Sequence, residues 1–407
     1  MKKTILLIGS FDTKGEEFVF VRDLIETRGV STLLLDTSVL DEPLFTPDIT
    51  AGQVARAGGS SLTQLRKEAD RGKAVDVMMA GVQNLVPGLY EDGRFDGVLS
   101  LGGGTGTHVA TAAMRTLPAG VPKLMVSTQA SSDLSSFVGV KDITMMYSIV
   151  DIAGLNLLSR RILGNAAGAI CGMVEQQIPA VEEKPMIAAT MFGVTTPCVT
   201  NVRKKLEESG FEVVVFHATG SGGRAMEALI RDGYFVGVAD LTTTEWCDEV
   251  AGGVLSAGPD RLEAAAETGI PQVVSCGALD MVNFHAMDSV PKKFKKRNLY
   301  KHNPTVTLMR TSPDECAKIG KRIAEKLNQA KGPVVLMLPL KGISSLDQKG
   351  KPFFDPEANK SLFDSLRKHI HSSVRLLELD LHINDTAFAE KAGDVLTEML
   401  KNNDRQK

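Results

Sequence analysis

The chain has 407 residues, with 46 lysines and arginines against 49 aspartates and glutamates and a formal charge of −3. That balance, with no long basic tract, leaves no phosphate-backbone footprint and argues against nucleic acid as a partner. The cysteines (Cys171, Cys198, Cys247, Cys276 and Cys316) are odd in number, scattered and without C-x-x-C spacing, which excludes a disulfide framework and a thiolate zinc site and fits a reduced, cytoplasmic protein.

An apolar run over residues 4–8 predicts a first strand; with only Met1-Lys-Lys before it, it does not read as a signal peptide. Residues 16–28 read as a helix, with Phe18, Val21, Leu24 and Ile25 on one stripe and Gly29 as its stop. Strands are expected at 31–35, 97–101 and 123–127, and a long helix at 156–177. In that helix Gly164, Gly168 and Gly172 form a ladder read as close helix packing, at a subunit contact. Glu182-Glu-Lys-Pro185 is a charged, proline-containing break that divides the chain into lobes of 1–183 and 184–407. Further strands are expected at 186–190, 212–216, 235–239, 272–275, 334–338 and 374–379, and Lys292-Lys-Phe-Lys-Lys-Arg297 reads as a solvated loop. Continuously apolar strands separated by helices predict an α/β fold of two Rossmann-like, doubly wound parallel-sheet lobes. No apolar run reaches the ~18 residues of a membrane span.

The two lobes are related by an internal repeat. Asp92-Gly-Arg-Phe-Asp-Gly-Val-Leu-Ser-Leu101 recurs as Asp232-Gly-Tyr-Phe-Val-Gly-Val-Ala-Asp-Leu241, and Gly120-Val-Pro is echoed by Gly269-Ile-Pro. The copies differ after the shared leucine: Gly102-Gly-Gly-Thr-Gly-Thr107 in the first, Thr242-Thr-Thr-Glu245 in the second.

In an open parallel sheet, ligands bind beyond the carboxyl ends of the strands. Gly9-Ser-Phe-Asp-Thr-Lys-Gly15 offers Ser10 and Thr13 hydroxyls and the Lys14 ammonium at a helix start, which suits a phosphate. For Asp12 and Thr13, helix capping and ligand binding both stay open. Gly102, Gly103 and Gly104 are costly in conformational entropy, which is tolerable where a ligand approaches the backbone or φ is positive. Thr105 and Thr107 add hydroxyls, and Ser127 and Thr128 end the next strand on the same side. His108 could serve as an acid or base but reads rather as a bystander, and Arg71, Gly72 and Lys73 could supply further cation but read rather as a solvated helix end. In the second lobe Asp280, His285, His302 and Asp347 are candidate catalytic or metal-binding groups at strand ends, with no H-x-x-x-H spacing. Thr242-Thr-Thr-Glu245 reads as an N-cap of the capping-box type.

Gly9-Ser-Phe-Asp-Thr-Lys14, Leu101-Gly-Gly-Gly-Thr-Gly-Thr107, the stretch 277–285 and Leu338-Pro-Leu-Lys-Gly-Ile-Ser-Ser-Leu-Asp347 together resemble a family of uncharacterised bacterial, fungal and plant proteins that includes the N-terminal ATP-binding domain of the tomato mosaic virus resistance protein. The resemblance runs over essentially the whole chain. It implies a two-lobed homodimer that binds ATP in the first lobe, with the D-T-K of the first turn on Asp12, Thr13 and Lys14 and the glycine-rich loop on Gly102, Gly103, Gly104 and Thr105. Plant members carry a further TIM-barrel-like domain with no counterpart in these 407 residues.

The expected function is that of a cytoplasmic, ATP-binding homodimer, with or without Mg²⁺, acting as a metabolic enzyme on an unidentified small molecule between the lobes. Two alternatives stand beside it: a non-catalytic, ATP-responsive regulatory protein, and a metal-assisted hydrolase or lyase of a small carboxylate.

Overall fold

Aliphatic and β-branched residues pack well on both faces of a pleated sheet, and in the computed structural model every expected strand is present. The structure describes residues 2–179 and 182–404. The chain divides into two compact units that meet in sequence at residues 180 and 181.

The first unit holds β1 (Thr4–Gly9), β2 (Ser31–Asp36), β3 (Gly97–Gly102), β4 (Lys123–Ser127) and β5 (Thr144–Tyr147) in one parallel sheet of order β2-β1-β3-β4-β5. Side-chain alternation sends Leu6, Ile8, Leu35 and Val98 into one core and Ile5, Leu7, Leu34 and Leu99 into the other. Helices Arg71–Glu91 and Gly104–Met114 cover the first core, and Gly15–Thr27 and Leu157–Glu175 the second. The strand order reverses between β1 and β3, so the loops after those two strands flank a switch point.

The second unit holds β6 (Met186–Met191), β7 (Glu212–His217), β8 (Gly237–Thr242), β9 (Gln272–Gly277), β10 (Met281–Phe284), β11 (Leu299–Asn303), β12 (Val306–Arg310), β13 (Val334–Pro339) and β14 (Arg375–Leu379). Its parallel sheet runs β7-β6-β8-β9-β13-β14, which repeats the order of the first unit and adds an edge strand. The paired glycines Gly29 and Gly210 (φ 84° and 93°), Gly93 and Gly233 (66° and 83°), and Gly120 and Gly269 (85° and 75°) are all left-handed. A side chain would strain these turns, which gives the repeated glycines a physical reason.

Three features depart from the expectation. β5 is short and half-exposed, and β10-β12-β11 form an antiparallel sheet whose β11, Leu-Tyr-Lys-His-Asn, lacks an apolar run. The strand expected at 235–239 starts two residues later, because Phe235 packs edge-on against Phe216 (5.9 Å between centroids) ahead of the sheet. Within the chain the Gly164-Gly168-Gly172 ladder is lightly packed, which does not bear on the expected subunit contact: a Cβ added at Gly164 would meet Leu24 at 3.8 Å, and one at Gly168 or Gly172 nothing within 4 Å. All five cysteines are free and buried, and burial pushes the Cys198 thiol up to about 12, leaving it unreactive. Among the described residues, no helix is long and apolar enough to cross a membrane.

Candidate functional site

At the switch point of the first unit lies a cavity of about 720 Å³. Ser10, Asp12, Thr13 and Lys14 line it from the β1 loop and Gly102, Gly103, Gly104, Thr105 and Gly106 from the β3 loop. Val39, Leu40, Leu65, Val75, Met78 and Val109 form an apolar wall.

Why this loop is glycine follows from its geometry. Gly103 has φ −81° and Gly102, Gly104 and Gly106 are not left-handed either, so positive φ is not the reason. Close packing accounts for Gly102 alone, whose Cβ would lie 3.2 Å from the Gly106 Cα. A Cβ on Gly104 would meet nothing within 4 Å, and on Gly103 or Gly106 nothing closer than 3.8 Å. The room kept free is room in the cavity.

Helix Gly104–Met114 starts behind Gly103 without a side-chain cap and without an acidic residue in its first turn. Its first intrahelical bond from this turn is Thr107 N–H to Gly103 O (2.9 Å), so the N–H groups of Gly104, Thr105 and Gly106 have no intrahelical acceptor. Three donors and the positive end of a helix dipole therefore face the cavity. Helix Gly15–Thr27 is less suited to an anion, since Glu16 and Glu17 sit in its first turn.

Two cations complete the mouth. Lys14 lines the cavity while Nζ donates to the Ile152 carbonyl. Arg71, expected to be a solvated helix end, instead reaches across and donates from Nη2 to Thr105 Oγ1 (3.0 Å). Asp12 caps no helix, the N-cap being Lys14. Its carboxylate accepts the Thr13 N–H (2.7 Å) and the Asp41 N–H (3.3 Å), tying the β1 loop to the loop after β2.

The remaining residues support the loop. Thr107 and Ser127 are fully buried and share a 2.7 Å hydroxyl bond; Thr107 also donates to Gly103 O. Thr128 Oγ1 accepts from Gln129 Nε2 (3.3 Å) and lies 3.8 Å from where a Gly103 Cβ would project. His108 is exposed and its ring packs on Phe137 at 4.6 Å. Thr37, Arg66 and the apolar wall were not found from sequence; they are ordinary helix and loop residues with no local signature.

The equivalent place in the second unit is occupied by protein. The shared frame aligns Thr105 with Glu245, which is 1% exposed and accepts the N–H groups of Gly220 (2.7 Å) and Gly223 (3.1 Å). Arg261 donates to Glu245 (2.7 Å), to both oxygens of Asp240 (2.5 and 2.7 Å) and to Glu227 (3.1 Å). The expected capping box is absent: Thr244 is the N-cap but makes no side-chain cap bond, and Glu245 serves the ion network.

Of the second-unit candidates, the structure brings together Asp280 and Asp347, both fully buried, beside Arg310. Ser344 donates to Asp280 Oδ2 (2.6 Å), and Asn359 to Asp347 Oδ2 (2.6 Å). His285 and His302 are exposed, and among the described residues no three His, Cys, Asp or Glu side chains gather to hold a metal ion.

Burial raises the Asp280 carboxyl from 3.8 to about 7, opposed by Arg310 and reinforced by Asp347; burial also raises Asp248 to about 7. Both groups bind their proton more tightly in the fold than in the unfolded chain. Their stabilisation is complete below the unfolded value near 3.8 and is lost as pH rises through about 7. The melting temperature of the second unit is therefore expected to fall by about 10 °C or more between pH 5 and pH 8. Asp280→Asn should reduce that dependence by about half, leaving the part due to Asp248, in melts followed across the range, and an unchanged slope would count against the assignment.

Comparison with known proteins follows this division. Residues 3–179 match the N-terminal domain and residues 184–400 the C-terminal domain of the uncharacterised protein family UPF0261. The chain belongs to this family. A UPF0261 protein of Clostridium tetani is 53% identical over 98% of the chain and all of its own length. The tomato ToMV resistance protein Tm-1 is 42% identical over 97% of the chain, which covers 55% of the plant protein. The family expected from the motifs is thus the one found. Among solved structures, Acinetobacter baumannii MurG is 10% identical, with a TM-score of 0.23 over 98% of this chain and 99% of that one, too slight a likeness to bear on function.

Proposed function

We propose that the first unit binds ATP, with its triphosphate on the N–H groups of Gly104, Thr105 and Gly106 and its base against the apolar wall. The observation that carries this reading is the glycine loop: Gly103, Gly104 and Gly106, without a packing or φ requirement, line a cavity of about 720 Å³, next to free helix donors, Lys14 and Arg71. Mg²⁺ would accompany the phosphates, and Asp12 and Asp70 are carboxylates that line the cavity. On this reading the protein works in the cytoplasm as a homodimer in small-molecule metabolism; the open glycine face of helix Leu157–Glu175 is available to a second copy.

Saturating ATP is expected to stabilise the protein by about 2.7 kcal/mol at a hundred times Kd. Arg71→Ala should weaken ATP binding about tenfold, the loss of one charge-assisted contact, and Lys14→Ala comparably. Thermal melts with and without ATP check this, and an unshifted melt at millimolar ATP with Mg²⁺ would overturn it.

A further inference from the structure

The loop after β2 separates the ATP cavity from a second one of about 420 Å³. Arg66 lines both and is the partition, donating to the carbonyls of Val39 (2.7 Å) and Asp41 (3.2 Å) and to Glu42 (3.2 Å). The two cavities have opposite chemistry. Asp36, Asp41 and Glu42 line the second one against this single guanidinium, which Glu42 already engages.

Asp36, the last residue of β2, is 1% exposed and lines this cavity. Its Oδ1 accepts from the N–H groups of Phe11 (3.2 Å) and Ser38 (2.9 Å) and from the Ser38 hydroxyl, while among the described residues none donates to Oδ2. No cation pairs with Asp36 among the described residues, and burial accordingly raises its pKa. A buried carboxylate with an open oxygen and no counter-charge is costly unless a cation arrives. Leu44, Phe45 and Leu62 line it beside the hydroxyls of Ser38, Thr46 and Thr50 and offer contacts to a hydrocarbon stem, and Asp41 stands exposed at the rim.

We propose that this second cavity binds a small aliphatic amine, with one ammonium on Asp36 Oδ2 and, in a diamine, the other at Asp41. The ligand would be a co-substrate or effector of the neighbouring ATP site; only that link, through Arg66, rests on the nucleotide reading.

Isothermal titration of the full chain with putrescine and cadaverine tests the site, with butanediol and succinate as uncharged and anionic controls. The diamines are expected to bind at one per chain and the controls not to bind. Asp36→Asn should weaken putrescine about tenfold or more, with ATP affinity kept. Should Asp36→Asn fail to fold, Asp41→Lys on the exposed rim places an ammonium at the site and should abolish diamine binding without changing the melt. Absence of diamine binding, binding that survives in a folded variant, or equal binding of the controls would overturn the proposal. ATP is titrated in parallel: ATP binding without diamine binding removes this inference alone, and diamine binding without ATP binding removes the nucleotide reading alone.

Discussion

Arg261→Leu is expected to destabilise the second unit by about 3–5 kcal/mol, the effect of removing one partner from a buried ion network. Arg261 is 1% exposed and, among the described residues, is the one cation bonded to Asp240, Glu245 and Glu227. Leucine fills part of the volume and leaves three carboxylates facing one another out of water. Glu227 already has its pKa raised, chiefly by burial, with Arg261 opposing that rise, so its loss should drive proton uptake. Urea unfolding at pH 7 and pH 5 checks this: the variant should recover stability at the lower pH, and a loss below about 1 kcal/mol at pH 7 would show that the network is not structural. The counterpart of Glu245 in the first unit, Thr105, meets Arg71 at an open cavity. One copy has sealed with charge what the other keeps open.

Gly104→Val is expected to reduce ATP affinity by about 100-fold or more without unfolding the chain. The added Cβ meets no atom of the protein within 4 Å, so its obstruction falls on the ligand. Gly104→Ala gives the contrasting sign: at the first helical residue alanine should leave stability unchanged or raise it by up to about 1 kcal/mol, while weakening ATP. A glycine kept for packing would show the opposite, with lost stability and unaltered binding. Melts and titrations on the same preparations separate the two.

Apart from β5, the strands of the two parallel sheets, the repeat and the two loops that line the cavity were legible in the sequence because each leaves a local trace: apolar runs, left-handed glycines at matched places, and glycines after a buried strand; β5 and the antiparallel β10 to β12, each of four or five residues, were not. What escaped depends on contacts between distant segments. Arg71 and Arg261 lie in stretches with no motif, and each acquires its role from a partner, Thr105 for one and Asp240, Glu245 and Glu227 for the other. Asp36 reads as a strand end until the fold places its carboxylate in a cavity. The capping box expected at Thr242 to Glu245 was displaced because a buried arginine binds Glu245 more strongly than a helix terminus would.

The most direct measurement is of the amides themselves. In TROSY spectra of isotope-labelled protein titrated with ATP and Mg²⁺, the largest amide shifts should fall on Gly104, Thr105 and Gly106, with Thr242 to Glu245 of the second unit unmoved. Unshifted amides in that glycine turn at ligand saturation would contradict the account.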